Sequence, residues 1–174
     1  MAVIPVIVRS PDGSRSVVTR AFLDQGSSAT FCTASLLQKL NAVGKPANLK
    51  MTTATSVNQS VQSQMVEGFA ISALDSASTF QLPPTYTLDT LPVRQKDIAT
   101  STDIQGWAHL QGITLPQIDI EVELMIGGNC PEALCPLEIR KGAAGMPFAF
   151  RSQLGWTVYG PRRHRDVTGH VISQ

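Results

Sequence analysis

The run Val17 to Leu23 constrains this chain most, because a β-branched, apolar stretch ends directly on Asp24-Gln25-Gly26-Ser27-Ser28. Glycine and small polar residues stop a strand and let the backbone turn sharply, so a carboxylate is delivered at a strand-to-loop junction. Val3 to Val8 is a second run of the same kind. Between the two lies Ser10-Pro11-Asp12-Gly13-Ser14, whose Pro and Asp-Gly chemistry predicts a β-hairpin turn. Asp12-Gly13 is accounted for by that turn. Asp24 is not, and it is the candidate for chemistry.

Downstream, Thr33 to Leu40 places Leu36, Leu37 and Leu40 at helical spacing with Thr33 as N-cap, which predicts a helix of about two turns. Asn48 to Leu74 is rich in Ser, Thr, Gln and Val and predicts two strands joined by a polar loop at Ser56 to Gln64. Phe80 to Val93 holds Pro83, Pro84 and Pro92 and favours extended structure. Within Asp97 to Leu110, the residues Ile104, Trp107, Ala108 and Leu110 form one apolar face of a short helix. Val122 to Gly128 reads as a strand ending in two glycines. Asn129 and Glu132 at capping-box spacing, with Pro131 in the first turn, then start a helical turn. Phe148 to Tyr159 closes the pattern as a hairpin about Leu154-Gly155-Trp156.

A chain of 174 residues fits one domain. No internal repeat divides it, so residues 1–161 are read as one domain and 162–174 as a basic polar tail or linker. Apolar residues make up 43% and charged residues 16%, with a net charge of +1, which favours neither disorder nor a nucleic-acid surface. Arg162-Arg163-His164-Arg165 is read as solvated linker. The apolar stretch Ala2 to Val8 is broken by Pro5 and too short for a signal peptide or membrane span. Cys32, Cys130 and Cys135 are an odd set that points to a reducing compartment, and the chain is expected to be cytoplasmic. No compact Cys/His pattern completes a zinc site, so no metal and no organic cofactor is expected.

Other chemistries find less support. Ser27 and Ser28 lack a Gly-x-Ser-x-Gly elbow, and the histidines lie elsewhere. Gly127-Gly128 and Gly142 to Gly145 lack the Lys-Ser or Lys-Thr that follows a phosphate loop. Trp107, Trp156 and the leucines of Thr33 to Leu40 are read as core or interface residues. Met125 and Ile126 should lie beneath the Asp24 loop, with Gly127 placed where two backbones approach closely.

Taken together, several segments resemble the aspartic protease domain of BEL/Pao-type retrotransposon polyproteins, a relative of the retropepsins. They are Ile4-Pro5-Val6, Ala21 to Ser27 with Thr30-Phe31-Cys32, Trp107-Ala108-His109-Leu110, Glu123 to Asn129, and Leu154 to Pro161. The resemblance implies a mostly β fold, a closed retropepsin-like barrel with one or two short helices, and a symmetric homodimer. It also implies hydrolysis of peptide bonds in a polyprotein, its own being the expected substrate, inside the cell or within retrotransposon particles. Asp24 would be catalytic, Gln25, Gly26, Ser27 and Ser28 would form the active-site loop, and Ile126 and Gly127 the supporting strand and turn. Aspartic proteolysis needs two carboxylates sharing a proton, one as base and one as acid, so each subunit would contribute one Asp24. This chain departs from the family at Gln25, where retropepsins carry Thr or Ser. The Gln amide can donate and accept, but it is longer and needs a different geometry. The polar loop at Ser56 to Gln64 is the flap candidate, although it lacks glycines. The alternative expectation is a protease-like module that dimerises and binds peptide without cutting it.

Overall fold

The computed structural model describes residues 1–52 and 57–161. The tail at 162–174, and Ser56 at the start of the expected polar loop, lie outside the described residues. β1 (Val3–Arg9) and β2 (Ser16–Asp24) form the expected hairpin, antiparallel from Val3↔Phe22 to Arg9↔Ser16. The Asp12 carboxylate organises its turn: the Ser10 hydroxyl donates to it at 2.6 Å and the Ser14 amide at 3.0 Å. Those hydrogen bonds, Ser10 foremost, pull the Asp12 carboxyl down to about 2. The turn is therefore strengthened above the ordinary carboxylate range and loses that support as pH falls through about 2. Gly13 takes a φ of +70°, a conformation that favours glycine.

The chain continues through β3 (Thr30–Thr33) into α1 (Ala34–Lys39), where Thr33 Oγ1 accepts from the Leu36 amide as the predicted N-cap. β4 (Lys45–Met51) and β5 (Gln59–Val66) pair as a long hairpin. The polar stretch expected to be a loop from Ser56 to Gln64 is thus mainly strand from Gln59 onward. Its Ser, Gln and Val residues suit an exposed ribbon, where pairing with β4 supplies backbone partners that a loop would leave to water. β6 (Ala70–Ser72), β7 (Phe80–Gln81) and β8 (Thr85–Leu88) follow. The next connection holds 3-10 turns at Gln95–Asp97 and Ala108–Leu110, with α2 (Ser101–Ile104) between them. The expected single helical face over Asp97 to Leu110 is therefore split into short turns. β9 (Val122–Gly127), α3 (Pro131–Leu134), β10 (Glu138–Lys141), β11 (Phe148–Ser152) and β12 (Gly155–Tyr159) complete the described chain.

The fold is mostly β. Nine strands form one sheet in the order β4-β5-β8-β3-β9-β2-β1-β6-β7, and β10-β11-β12 form a second. The closed barrel expected from the resemblance is not found. The large sheet ends in β4 and β7, and no pairing among the described residues joins them. β4 alternates exposed and half-buried positions, and β7 is two residues long, so neither edge offers the buried, matched strand that closure needs.

β9 sits between β2 and β3, parallel to the first and antiparallel to the second. The main core lies against this centre: Val6, Val8, Leu36, Ile71, Leu124 and Ile126 are fully buried. On the other face, Phe22, Phe31 and Met125 form a smaller cluster. A third cluster joins Ile104, Leu110, Ile113 and Leu115 to Ala149 and Val158, with Trp107 and Trp156 packed against it. Two segments almost fifty residues apart, Trp107 to Leu110 and Leu154 to Pro161, thus contribute to one small core.

Of two buried charges, Arg20 ties the long connection to the sheet and Glu123 ties α1 to it. Arg20 bonds Gln95 Oε1 at 3.2 Å and the carbonyls of Ile118 and Ile120. Glu123 takes Lys39 Nζ at 2.8 Å and the Thr19 hydroxyl at 3.2 Å. Pairing of this kind is what makes a buried charge tolerable. No helix among the described residues is long and apolar enough to cross a membrane.

Candidate functional site

β2 ends on Asp24 because the loop that follows folds back onto β9. The pairing runs Leu23↔Ile126 and Asp24↔Gly127, so the predicted supporting residues Ile126 and Gly127 lie directly beside the acid. Inside the loop, the Gly26 amide donates to Asp24 Oδ1 at 3.0 Å and the Ser27 amide to the Asp24 carbonyl at 3.2 Å. The Ser27 hydroxyl donates to the Ala29 carbonyl at 2.7 Å, and the Ala29 amide donates back to it at 3.3 Å. Ser27 is therefore committed to holding the loop and not offered as a nucleophile.

Gly127 explains the close approach. A Cβ built there would lie 2.2 Å from the Ala29 carbonyl oxygen and 2.8 Å from the Ser27 carbonyl oxygen. Only a residue without a side chain lets these backbones touch. The contact is sealed by the Gly128 amide, which donates to the Ser27 carbonyl at 2.7 Å. Thr30 adds a further bridge: its hydroxyl donates to Asn129 Oδ1 at 2.8 Å and accepts from the Gly127 amide at 3.3 Å. Asn129 was expected to cap the helical turn after β9. Instead Cys130 holds the N-cap position of α3 without a side-chain cap bond, because the Asn129 amide is engaged by Thr30. A sequence separation of 99 residues hid this pair.

Asp24 is half-buried, and Gln25, Gly26 and Ser28 are exposed. The Gln25 side chain makes no hydrogen bond among the described residues. Asp24 opens onto a cleft of about 470 Å³ lined by Phe22, Leu23, Leu134, Ile139, Phe148, Phe150 and Tyr159 among others. It is the one carboxylate in that lining. A lone carboxylate can take or give a proton, but it cannot be base and acid at once.

The aromatic wall of this cleft was missed by sequence reasoning. Ile139 belongs to β10, which was not expected, and Phe148 and Tyr159 read as parts of a closing hairpin; no local pattern announces that they come to face residue 24. His109 lies apart, donating through Nε2 to the Pro147 carbonyl at 2.8 Å with its ring edge-on to Trp107. Among the described residues, no three His, Cys, Asp or Glu side chains gather as metal ligands would.

The thiols differ sharply. Cys32 is fully buried, and burial first, then the Glu123 carboxylate, pushes its thiol up to about 12. Burial also raises Cys130, whereas Cys135 is exposed. Because the thiolate is the reactive form, one equivalent of 5,5′-dithiobis(2-nitrobenzoate) should react promptly with native protein at Cys135. The other two should follow only on denaturation, and prompt release of three equivalents would contradict this packing.

Models of known protein families matched none of this chain, and comparisons with curated proteins and with solved structures likewise returned no match.

Proposed function

We propose that the chain is one half of a retropepsin-like aspartic endopeptidase, active as a homodimer in which two Asp24 carboxylates hold the attacking water between them. The observation that carries this reading is the seating of the Asp24 loop on Gly127, which fixes a carboxylate at the mouth of an apolar cleft whose lining, among the described residues, holds no second acid. In the dimer the ionised Asp24 takes a proton from the water, and the protonated one gives its proton to the substrate carbonyl oxygen. A tetrahedral diol forms. Its collapse breaks the C–N bond as a proton passes to the leaving amine, and the dyad ends with one proton, as it began. No metal or organic cofactor takes part.

The substrate is extended polypeptide, foremost the polyprotein of a BEL/Pao-type element, cut inside the cell or within its particles. Three thiols without a disulfide suit that setting. A second reading, a dimeric module that binds peptide without cutting it, is favoured by one observation: Gln25 stands where the family has a hydroxyl, and its amide makes no hydrogen bond among the described residues.

The two separate on a dilution series. Purified protein, with fluorescein-labelled denatured casein as probe, is expected to show a rate per subunit that falls in step with the dimer fraction measured by sedimentation velocity. A rate per subunit that stays constant while sedimentation shows only monomer would overturn the dimeric mechanism. A dimer with no cleavage of casein or of an extended version of the chain would favour the second reading.

A further inference from the structure

His109 is held at one ring nitrogen and open at the other. Nε2 donates to the Pro147 carbonyl at 2.8 Å, which in the neutral ring leaves a lone pair on Nδ1, and Nδ1 has no hydrogen-bond partner among the described residues. A thioether stands nearby. A Cβ built on Gly142 would lie 2.6 Å from His109 Cε1, 2.8 Å from His109 Nδ1 and 2.9 Å from Met146 Sδ. Both donor atoms therefore border one small space, which Gly142 leaves open because it has no side chain. The turn Ala108–Leu110 supplies the imidazole, and the connection from β10 to β11 supplies Gly142 and Met146.

These parts match what a metal-binding histidine needs. A carbonyl on the second ring nitrogen fixes which nitrogen is free to bind a metal and how the ring is turned, and Pro147 provides it. The ring is steadied further by Trp107, edge-on with centroids 6.1 Å apart. Met146 is 41% exposed, so the space is open to an ion from solvent. The donors also select the ion. A thioether is a soft ligand that favours Cu(I), and imidazole suits copper as well. Among the described residues no three His, Cys, Asp or Glu side chains gather, so the larger or charged ligand set that Zn²⁺ or Ca²⁺ takes is missing. Arg140 and Lys141 directly precede Gly142, and their charge opposes a divalent ion more than a monovalent one.

We propose that His109 Nδ1 and Met146 Sδ form a surface site for a Cu(I) ion, with Gly142 keeping the space between chain and ligands clear. None of the three residues lines the Asp24 cleft, so the site is independent of the function proposed above.

Anaerobic titration with Cu(I) in competition with bicinchoninate tests this in a Cys135→Ser background, which removes the exposed thiol that would compete for the ion. One equivalent is expected to be retained by the protein. Met146→Leu, which keeps the volume and removes the sulfur, and His109→Gln should each weaken binding at least tenfold. Met65→Leu, on β5, is the control and should bind as the parent does. In carbon–proton correlation spectra, one equivalent of Cu(I) should shift the Met146 methyl and His109 Cε1–H signals together and leave the Met65 methyl in place. These spectra are read with both ligands intact, so they decide the matter even if His109→Gln folds poorly. Loss of all Cu(I) to the chelator, parental affinity in both folded variants, or shifts confined to other methionines would mean adventitious binding only and would overturn the site. Zn²⁺ held as tightly as Cu(I) would overturn the assignment to a soft monovalent ion.

Discussion

Asp24→Asn is expected to abolish cleavage while leaving the fold and the dimer in place. In the proposed mechanism Asp24 takes a proton from water, and in a homodimer the substitution would remove both copies at once. General acid–base catalysis contributes roughly 10²- to 10⁴-fold per positioned group, so losing both members should bring turnover to background. The fold should survive because the hydrogen bond that the Asp24 carboxylate accepts from the Gly26 amide at 3.0 Å is available to the Asn carbonyl oxygen. A change in stability within about 1 kcal/mol follows for a half-buried site of this kind. Circular dichroism and sedimentation establish that the variant is intact before casein cleavage is scored. A folded, dimeric Asn variant cutting at the parental rate would end the aspartic mechanism. Cleavage abolished by chelation and restored by zinc would end it equally.

Gly127→Ala should produce the largest loss of stability among single-methyl additions near the site. The new Cβ would stand 2.2 Å from the Ala29 carbonyl oxygen and 2.8 Å from both the Ala29 carbonyl carbon and the Ser27 carbonyl oxygen. All three are backbone atoms, so relief requires moving the Asp24 loop itself. Overpacking in a closed site costs about 1–3 kcal/mol, and displacing the loop also weakens the bond from the Gly128 amide to Ser27. A total of about 3 kcal/mol is expected in urea unfolding, with at least a tenfold fall in cleavage as Asp24 shifts. Gly128→Ala is the matched control. Its Cβ would meet the Ser27 carbonyl oxygen at 3.4 Å, an ordinary contact, and stability should stay within about 1 kcal/mol of the parent. Equal stability of the two variants would mean that the loop is not seated on β9 as described.

Asp24 and Gly127 are legible in the amino-acid sequence. Asp24 was marked by the apolar run before it and the glycine after it, and Gly127 by the apolar strand it ends. The first hairpin, its Asp12 turn and the Thr33 cap were equally legible, since each depends on partners within a few residues. Hydrogen bonds from Ser10 and Ser14 to Asp12, or from Leu36 to Thr33, form wherever the local backbone allows them.

Other features had no local signature. The polar stretch from Gln59 became strand because β4 lies alongside it. Asn129 left its expected capping role because Thr30, distant in sequence, arrived within 2.8 Å. The large sheet stayed open because its outer strands are too exposed or too short to close it, a matter of burial across the whole sheet. The sequence by itself thus determined where an acid would end a strand, where the chain would turn and where a glycine had to lie, because those depend on chemistry between neighbours. Only the tertiary structure decided that β9 would insert between β2 and β3 and that Ile139, Phe148 and Tyr159 would line the Asp24 cleft. Long-range pairing is chosen by which surfaces can be buried together, and that choice is made by the folded chain as a whole.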